Sequence, residues 1–278
     1  MKIYVGISSG QDSAAVLYKL LTETDHEIYA RNSRYKKLYP KNEIDFFESY
    51  TKKTVEWLKT NVRDFDFDIN DAYVPEWSLY LPEEKRKYTD VSKEILEKYY
   101  NKFVPEKYDG SIKEVVDTTG NQKPYVALVM ERFYSLAKHA KELNADLLVG
   151  GYDLGQLSTG MTPACKAFVE EAYNVSVDFP LGHMHRFEIF ESMPKELRKI
   201  MNPCDYWWKD KEKGHCGKCR KCLTRQIYYS HKYSMKELEK YYIDWVIKRE
   251  KDPKLGVLAT GKSSAWYTLE YLKRLAGT

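Results

Sequence analysis

Residues 2–7 form an apolar run that reads as a buried strand, and the polar turn Ser8-Ser9-Gly10-Gln11-Asp12-Ser13 follows it directly. Ala14, Val16, Leu17, Leu20 and Leu21 then recur at helical spacing, predicting a helix over 13–22. A second short strand is expected at 26–30, a helix at 44–62 carrying Phe46, Phe47, Tyr50, Val55, Trp57 and Leu58, and a third strand at 65–69. Strands separated by helices cannot be joined as hairpins. The opening therefore predicts a parallel sheet in an α/β fold.

From 73 to about 120 the pattern loosens into prolines and charges around one amphipathic helix at 91–100. This reads as an insertion, either a lid or partner surface or, more plainly, packing decoration. Regularity returns with a helix at 125–143 and a strand at 145–149 ending in Gly150-Gly151, which should return to the first turn. A helix from Pro163 to about 173, a strand at 175–179 and a helical stretch at 188–201 complete the expected α/β domain, residues 1–200. A cysteine module occupies 201–230, and amphipathic helices are expected along the tail, 231–278.

The 278 residues suffice for a sizeable core. Lys plus Arg number 45 against 41 Asp plus Glu, a net charge of +4, which does not demand a nucleic-acid partner. No apolar run reaches a membrane span and the N-terminus lacks a signal-peptide pattern, so a soluble, cytoplasmic protein with no membrane partner is expected. The 24 tyrosines fall largely in charged helical stretches and read as amphipathic packing residues.

Cys204, Cys216, Cys219 and Cys222 stand at C-x11-C-x2-C-x2-C spacing. Four thiolates so placed can close a tetrahedral shell around structural zinc, leaving no open position for catalysis; a disulfide cluster or four unrelated thiols are the alternatives. At the other end of the chain, the turn of Ser8, Ser9, Gly10, Gln11, Asp12 and Ser13 offers hydroxyls, backbone N–H groups and a positive helix end to one point. That suits a phosphate, with Gly10 permitting close approach and Asp12 placed to hold Mg2+. Taken alone, the segment reads more plainly as an ordinary strand-to-helix turn with a serine cap.

The turn resembles the S-G-G-x-D-S loop of the adenine-nucleotide α-hydrolases, or PP-loop ATP pyrophosphatases, with Ser9 in place of the first glycine. Asn202-Pro203-Cys204-Asp205-Tyr206, then Cys216-Gly217-Lys218-Cys219-Arg220-Lys221-Cys222 and Arg225, resemble the S-C-Y … C-G-x-C-x-x-C-x-x-R module of 7-cyano-7-deazaguanine synthase. Pro180-Leu181, Arg186 and Glu188-Ile189 are similar to that family's P-L-x4-K-x-E-I segment, with arginine for lysine. The resemblance implies a Rossmann-like nucleotide-binding domain, ATP, Mg2+ and Zn2+ as cofactors, and a homodimer. It also implies ATP-dependent activation of a carboxylate, 7-carboxy-7-deazaguanine, by a C–N ligase. Asp12, Ser13 and Arg186 would be its catalytic residues, with Arg186 facing pyrophosphate; the turn and Gly150 would bind nucleotide.

The family's G-Y-P-D-C-R-P-E-F stretch meets Gly160-Met161-Thr162-Pro163-Ala164-Cys165-Lys166-Ala167-Phe168, where the aspartate and arginine are absent. The family's R-N pair is likewise missing from Gln122-Lys123-Pro124-Tyr125. ATP use therefore transfers more readily than substrate identity. One alternative is a divergent relative, of the kind found in anti-phage defence and in viruses, that passes the acyl group to an amine on a protein or nucleic acid. Another is a tRNA-thiolating enzyme, for which Cys165 is the candidate sulfur carrier; a small buried residue is the plainer reading of that thiol. A third is a non-catalytic nucleotide-binding adaptor. His183 and His185 are candidates for proton transfer or simply a polar loop. Gly256 to Ser263 matches G-x-x-x-x-G-K-S, yet the charged segment before it supplies no buried strand, which argues against a phosphate-binding loop there.

Overall fold

The computed structural model describes residues 1–36, 41–77, 87, 91–92, 94–96, 98–99, 114–116, 122–153, 161–184 and 186–201. Five parallel strands form the sheet: β1 (Lys2–Gly6), β2 (Glu27–Arg34), β3 (Asp66–Asp71), β6 (Leu147–Val149) and β7 (Ser176–Asp178), in the order β3-β2-β1-β6-β7. A separate antiparallel pair joins β4 (Glu114–Val116), at the end of the insertion, to β5 (Gln122–Pro124), just past it, and was not expected from the sequence. The helices are α1 (Gln11–Glu23), α2 (Lys41–Asn61), α3 (Tyr125–Glu142), α4 (Met161–Tyr173), α5 (Arg186–Glu191) and α6 (Lys195–Ile200). The expected parallel α/β architecture is the one found.

Alternation along β1 divides the core in two. Ile3 and Val5 join Val16, Leu17, Leu58, Ile189 and Leu197 on the face covered by α1, α2, α5 and α6. Tyr4 turns to the other face, among Phe133, Tyr134, Phe168 and Val177 beneath α3 and α4. Both faces of the inner strands are thus buried, as a parallel sheet requires. The insertion adds to the second cluster: Trp77, Val91 and Leu96 are buried there, and Lys98 and Tyr99 reach Glu171 of α4. Among the described residues it is packing decoration on α3 and α4.

Two boundaries differ from the sequence reading for physical reasons. Strand β2 runs on through Arg31-Asn32-Ser33-Arg34, because these polar side chains find partners: Arg31 pairs with Asp66, and Arg34 with the buried Glu48 at 2.6 Å. The helical stretch at 188–201 is broken at Pro194, which has no N–H to donate and starts α6. Arg63 closes the α1–β2 turn by donating to the carbonyls of Leu21, Thr24 and His26 at 2.8–3.2 Å.

Candidate functional site

The strand order reverses between β1 and β6, whose neighbours extend outward to β2 and β7. Ligands of open α/β sheets bind outside the carboxyl ends of strands at such a switch point. The turn after β1 and the Gly150-Gly151 turn after β6 both emerge there. Their mutual approach is close: a Cβ on Gly151 would lie 2.6–2.7 Å from backbone atoms of Asp12 and Ser13. Only glycine permits this contact. Gly150, the residue expected at the nucleotide, donates its N–H to the carbonyl oxygen of Asp178 across to β7 at 3.0 Å. A Cβ there would meet the rings of Tyr152 and Phe179. Gly151 is thus the one against the turn, and Asp153, a carboxylate buried two residues later, accompanies it.

Within the turn, Ser8 N–H donates to Ser13 Oγ at 3.0 Å, Gly10 N–H donates to Ser8 Oγ at 3.1 Å, and the two hydroxyls are 3.0 Å apart. Ser13 Oγ also lies 3.2 Å from Gly10 O, where it can donate its own proton. The hydroxyls therefore close a ring that holds the turn in shape. Ser13 is buried with its side chain turned inward, so in this conformation it braces the site. Gly10 is the N-cap of α1 at φ −82°, ψ 155°, with no side-chain cap bond, and it is followed in the first turn by Asp12. The N–H groups of Gln11, Asp12 and Ser13 have no acceptor within their own helix and add their dipoles at this point. Ser9 and Gln11 are buried beside it, and Asp12 is half-buried.

Asn32 of β2 supplies a contact not anticipated from the sequence. Its Nδ2 donates to Ile7 O at 2.9 Å, while Ile7 N–H donates to Arg31 O at 2.9 Å. The expected strand ended at Ala30, which placed Asn32 in a loop. Arg186 opens α5, eight residues past the carboxyl end of β7, and α5 packs against α1. His183 is in the turn ahead of it. Cys204, Cys216, Cys219 and Cys222, the 256–263 motif, His185 and the tail lie outside the described residues.

Mg2+ favours oxygen ligands and usually keeps waters alongside one or two carboxylates and the nucleotide phosphates. The carboxylate of Asp12 in the first turn of α1 fits that role. Cys165 is fully buried in α4 beside Phe168, and burial pushes its thiol far up, away from the thiolate a sulfur carrier needs. An open cleft of about 670 Å3 lies at the opposite, amino edge, lined by residues including Asp25, Lys59, Arg63 and Asp64. Arg63 there is committed to carbonyls and Lys59 to Asp64 at 2.9 Å, so the cleft is not prepared for an anion.

No family model and no curated protein matches the chain. Among solved structures, the U34-tRNA thiolase NcsA from Methanococcus maripaludis, described with its 4Fe-4S cluster, is similar at 14% identity and a TM-score of 0.42. The match covers 100% of this chain and 73% of that one. A universal stress protein in complex with cAMP is similar at 10% identity and a TM-score of 0.32, over 66% of this chain and 98% of that one. A predicted subunit of tRNA methyltransferase from Methanocaldococcus jannaschii is similar at 15% identity and a TM-score of 0.34, over 69% and 74% respectively. None of the three assigns a reaction to this chain.

Proposed function

We propose that the chain binds ATP at the turn of residues 8–13 and uses it to adenylate a carboxylate, which is then passed to nitrogen. The observation that carries this reading is the placement of the turn: at the switch point, leading into the N-terminus of a 13-residue helix, with Gly151 packed on its backbone. A substrate carboxylate oxygen attacks the α-phosphorus, the bond to pyrophosphate breaks, and pyrophosphate leaves. Ammonia or another amine then attacks the acyl carbon, AMP departs, and the amine loses its proton to solvent. The chain's work would be electrostatic: helix-end N–H groups would face the phosphates, Asp12 would hold Mg2+, and Arg186, as the resemblance implies, would supply the cation for the departing pyrophosphate. Bound Mg2+ would neutralise charge on the phosphate oxygens.

The resemblance of the cysteine module and of the 180–189 segment supports 7-carboxy-7-deazaguanine or a related acid as substrate, and amide then nitrile as products. A second reading is favoured by the altered stretch at 160–168: the same activation, with the acyl group passed to an amine on a protein or nucleic acid. Burial of Cys165 weighs against tRNA thiolation through that residue. Structural zinc on Cys204, Cys216, Cys219 and Cys222 belongs to the proposal, and elemental analysis should find one zinc per chain, lost in Cys219→Ser.

Labelled ATP supplied with 7-carboxy-7-deazaguanine, with and without ammonia, tests the reaction. Amide or nitrile with AMP is expected, and Asp12→Asn should lower turnover about 100-fold or more. AMP or adenylate without amide identifies another acceptor. Absence of substrate-dependent pyrophosphate release would remove 7-carboxy-7-deazaguanine as the substrate and favour another acid or an adaptor.

A further inference from the structure

We propose that Asn32 is a positioning residue of the nucleotide site, which aims the turn by gripping the Ile7–Ser8 peptide; this rests on the reading that the turn binds ATP. In a parallel ladder each strand residue that bonds forward also bonds back, so β1 should draw its next donor from the backbone of β2. The regular register ends at Gly6 opposite Arg31, followed by Ile7 N–H donating to Arg31 O. At the following rung the donor to Ile7 O is the Asn32 side chain, at 2.9 Å. A side-chain amide has taken the place of a backbone N–H where β1 leaves the sheet.

The consequence reaches the turn through one rigid unit. Ile7 C=O and Ser8 N–H belong to the same planar peptide. Asn32 Nδ2 holds its oxygen and Ser13 Oγ, 3.0 Å away, holds its hydrogen. Gripped at both ends, that plane sets the direction in which Ser8, Ser9 and Gly10 leave the sheet, and hence where the N–H groups at the start of α1 point. Without the amide, Ile7 O loses its partner and the plane is free to rotate. The side chains of Ser33 and Arg34 cannot substitute, because Arg34 is held by Glu48 on α2 and the Ser33 side chain lies on the opposite face of β2 from Asn32.

The test compares wild type, Asn32→Leu, which keeps the volume and removes the donor, and Asn32→Gln, which keeps the donor on a longer stem. Calorimetric titration with Mg-ATP should show affinity weakened about tenfold in Asn32→Leu and partly restored in Asn32→Gln. Amide hydrogen exchange should accelerate at Ser8 and leave Ile7 protected, whereas a general loss of stability would accelerate both. If Asn32→Leu fails to fold, the wild-type spectrum decides: the Asn32 side-chain amide should exchange slowly. Wild-type affinity in a folded Asn32→Leu, or free exchange of the Asn32 amide, would overturn the inference. If wild-type protein itself shows no affinity for ATP, the nucleotide reading fails instead, and the exchange data still report on the grip.

Discussion

Gly10 and Gly151 flank the same turn, yet substituting them should have very unequal effects on the fold. Gly10 has a negative φ that alanine adopts freely, and its added Cβ would meet only Ser8 Oγ, at 3.3 Å. Gly10→Ala should therefore change stability in urea unfolding by less than about 1 kcal/mol, because the negative φ is tolerated while the N-cap position and the Ser8 Oγ contact oppose alanine mildly. By narrowing the ligand's approach it should still weaken ATP binding, measured by calorimetry. Gly151→Ala places a methyl within 2.7 Å of the Asp12 and Ser13 backbone, which cannot yield without moving α1. A loss of about 1–3 kcal/mol in urea unfolding is expected, together with loss of nucleotide binding. The sequence announced both glycines but not their division of labour. Gly150 and Gly151 are indistinguishable as letters; which one faces α1 and which faces Tyr152 and Phe179 depends on how β6 leaves the sheet. Ser13 is a similar case, since its type suits a ligand while its neighbours turn the hydroxyl inward.

At the scale of elements, α3 carries a polar seam that fixes the chain leaving β3. Ser135 Oγ accepts the Tyr73 N–H at 3.0 Å, Tyr73 OH reaches Glu142, and the buried His139 lies 3.2 Å from Asp71 O with its ring 4.5 Å from that of Tyr73. Burial holds the His139 imidazole below its ordinary value, although Asp71 O and Glu142 oppose this. In the unfolded chain it returns to about 6.5. The unfolded state then binds the extra proton first, so stability is intact above about pH 6.5 and is lost as pH falls through the depressed native value. His139→Gln should flatten that part of the stability profile between pH 7 and 5, seen as a difference in urea midpoints from wild type; parallel profiles would refute it. Periodicity in the sequence found α3 and its apolar side because local spacing encodes burial. The seam was not legible, since its partners lie 62 to 69 residues away. The same holds for the last residues of β2, whose polarity masks a strand that Asp66, Glu48 and Ile7 O make possible.

For the whole molecule, a ligand that bridges the turns after β1 and β6 should stabilise the folded state as a unit. Mg-ATP at 100 times its Kd contributes about 2.7 kcal/mol, which should raise Tm by roughly 5 °C or more in a thermal melt. Asp12→Asn should lose most of that shift; a shift equal to wild type would remove Asp12 from the site. The amino-acid sequence alone determined the succession of the five sheet strands and the main helices between them, the parallel pairing that crossovers impose, and the position of a polar turn between β1 and α1, though not the β4–β5 pair or the break at Pro194. These follow from short-range spacing and from the limited ways a chain can connect parallel strands. Tertiary structure alone decided which residues meet at that turn. Sheet register brings Asn32 to Ile7, and helix packing brings Gly151 to Asp12. Such contacts depend on distances between segments far apart in the chain, which no local pattern records.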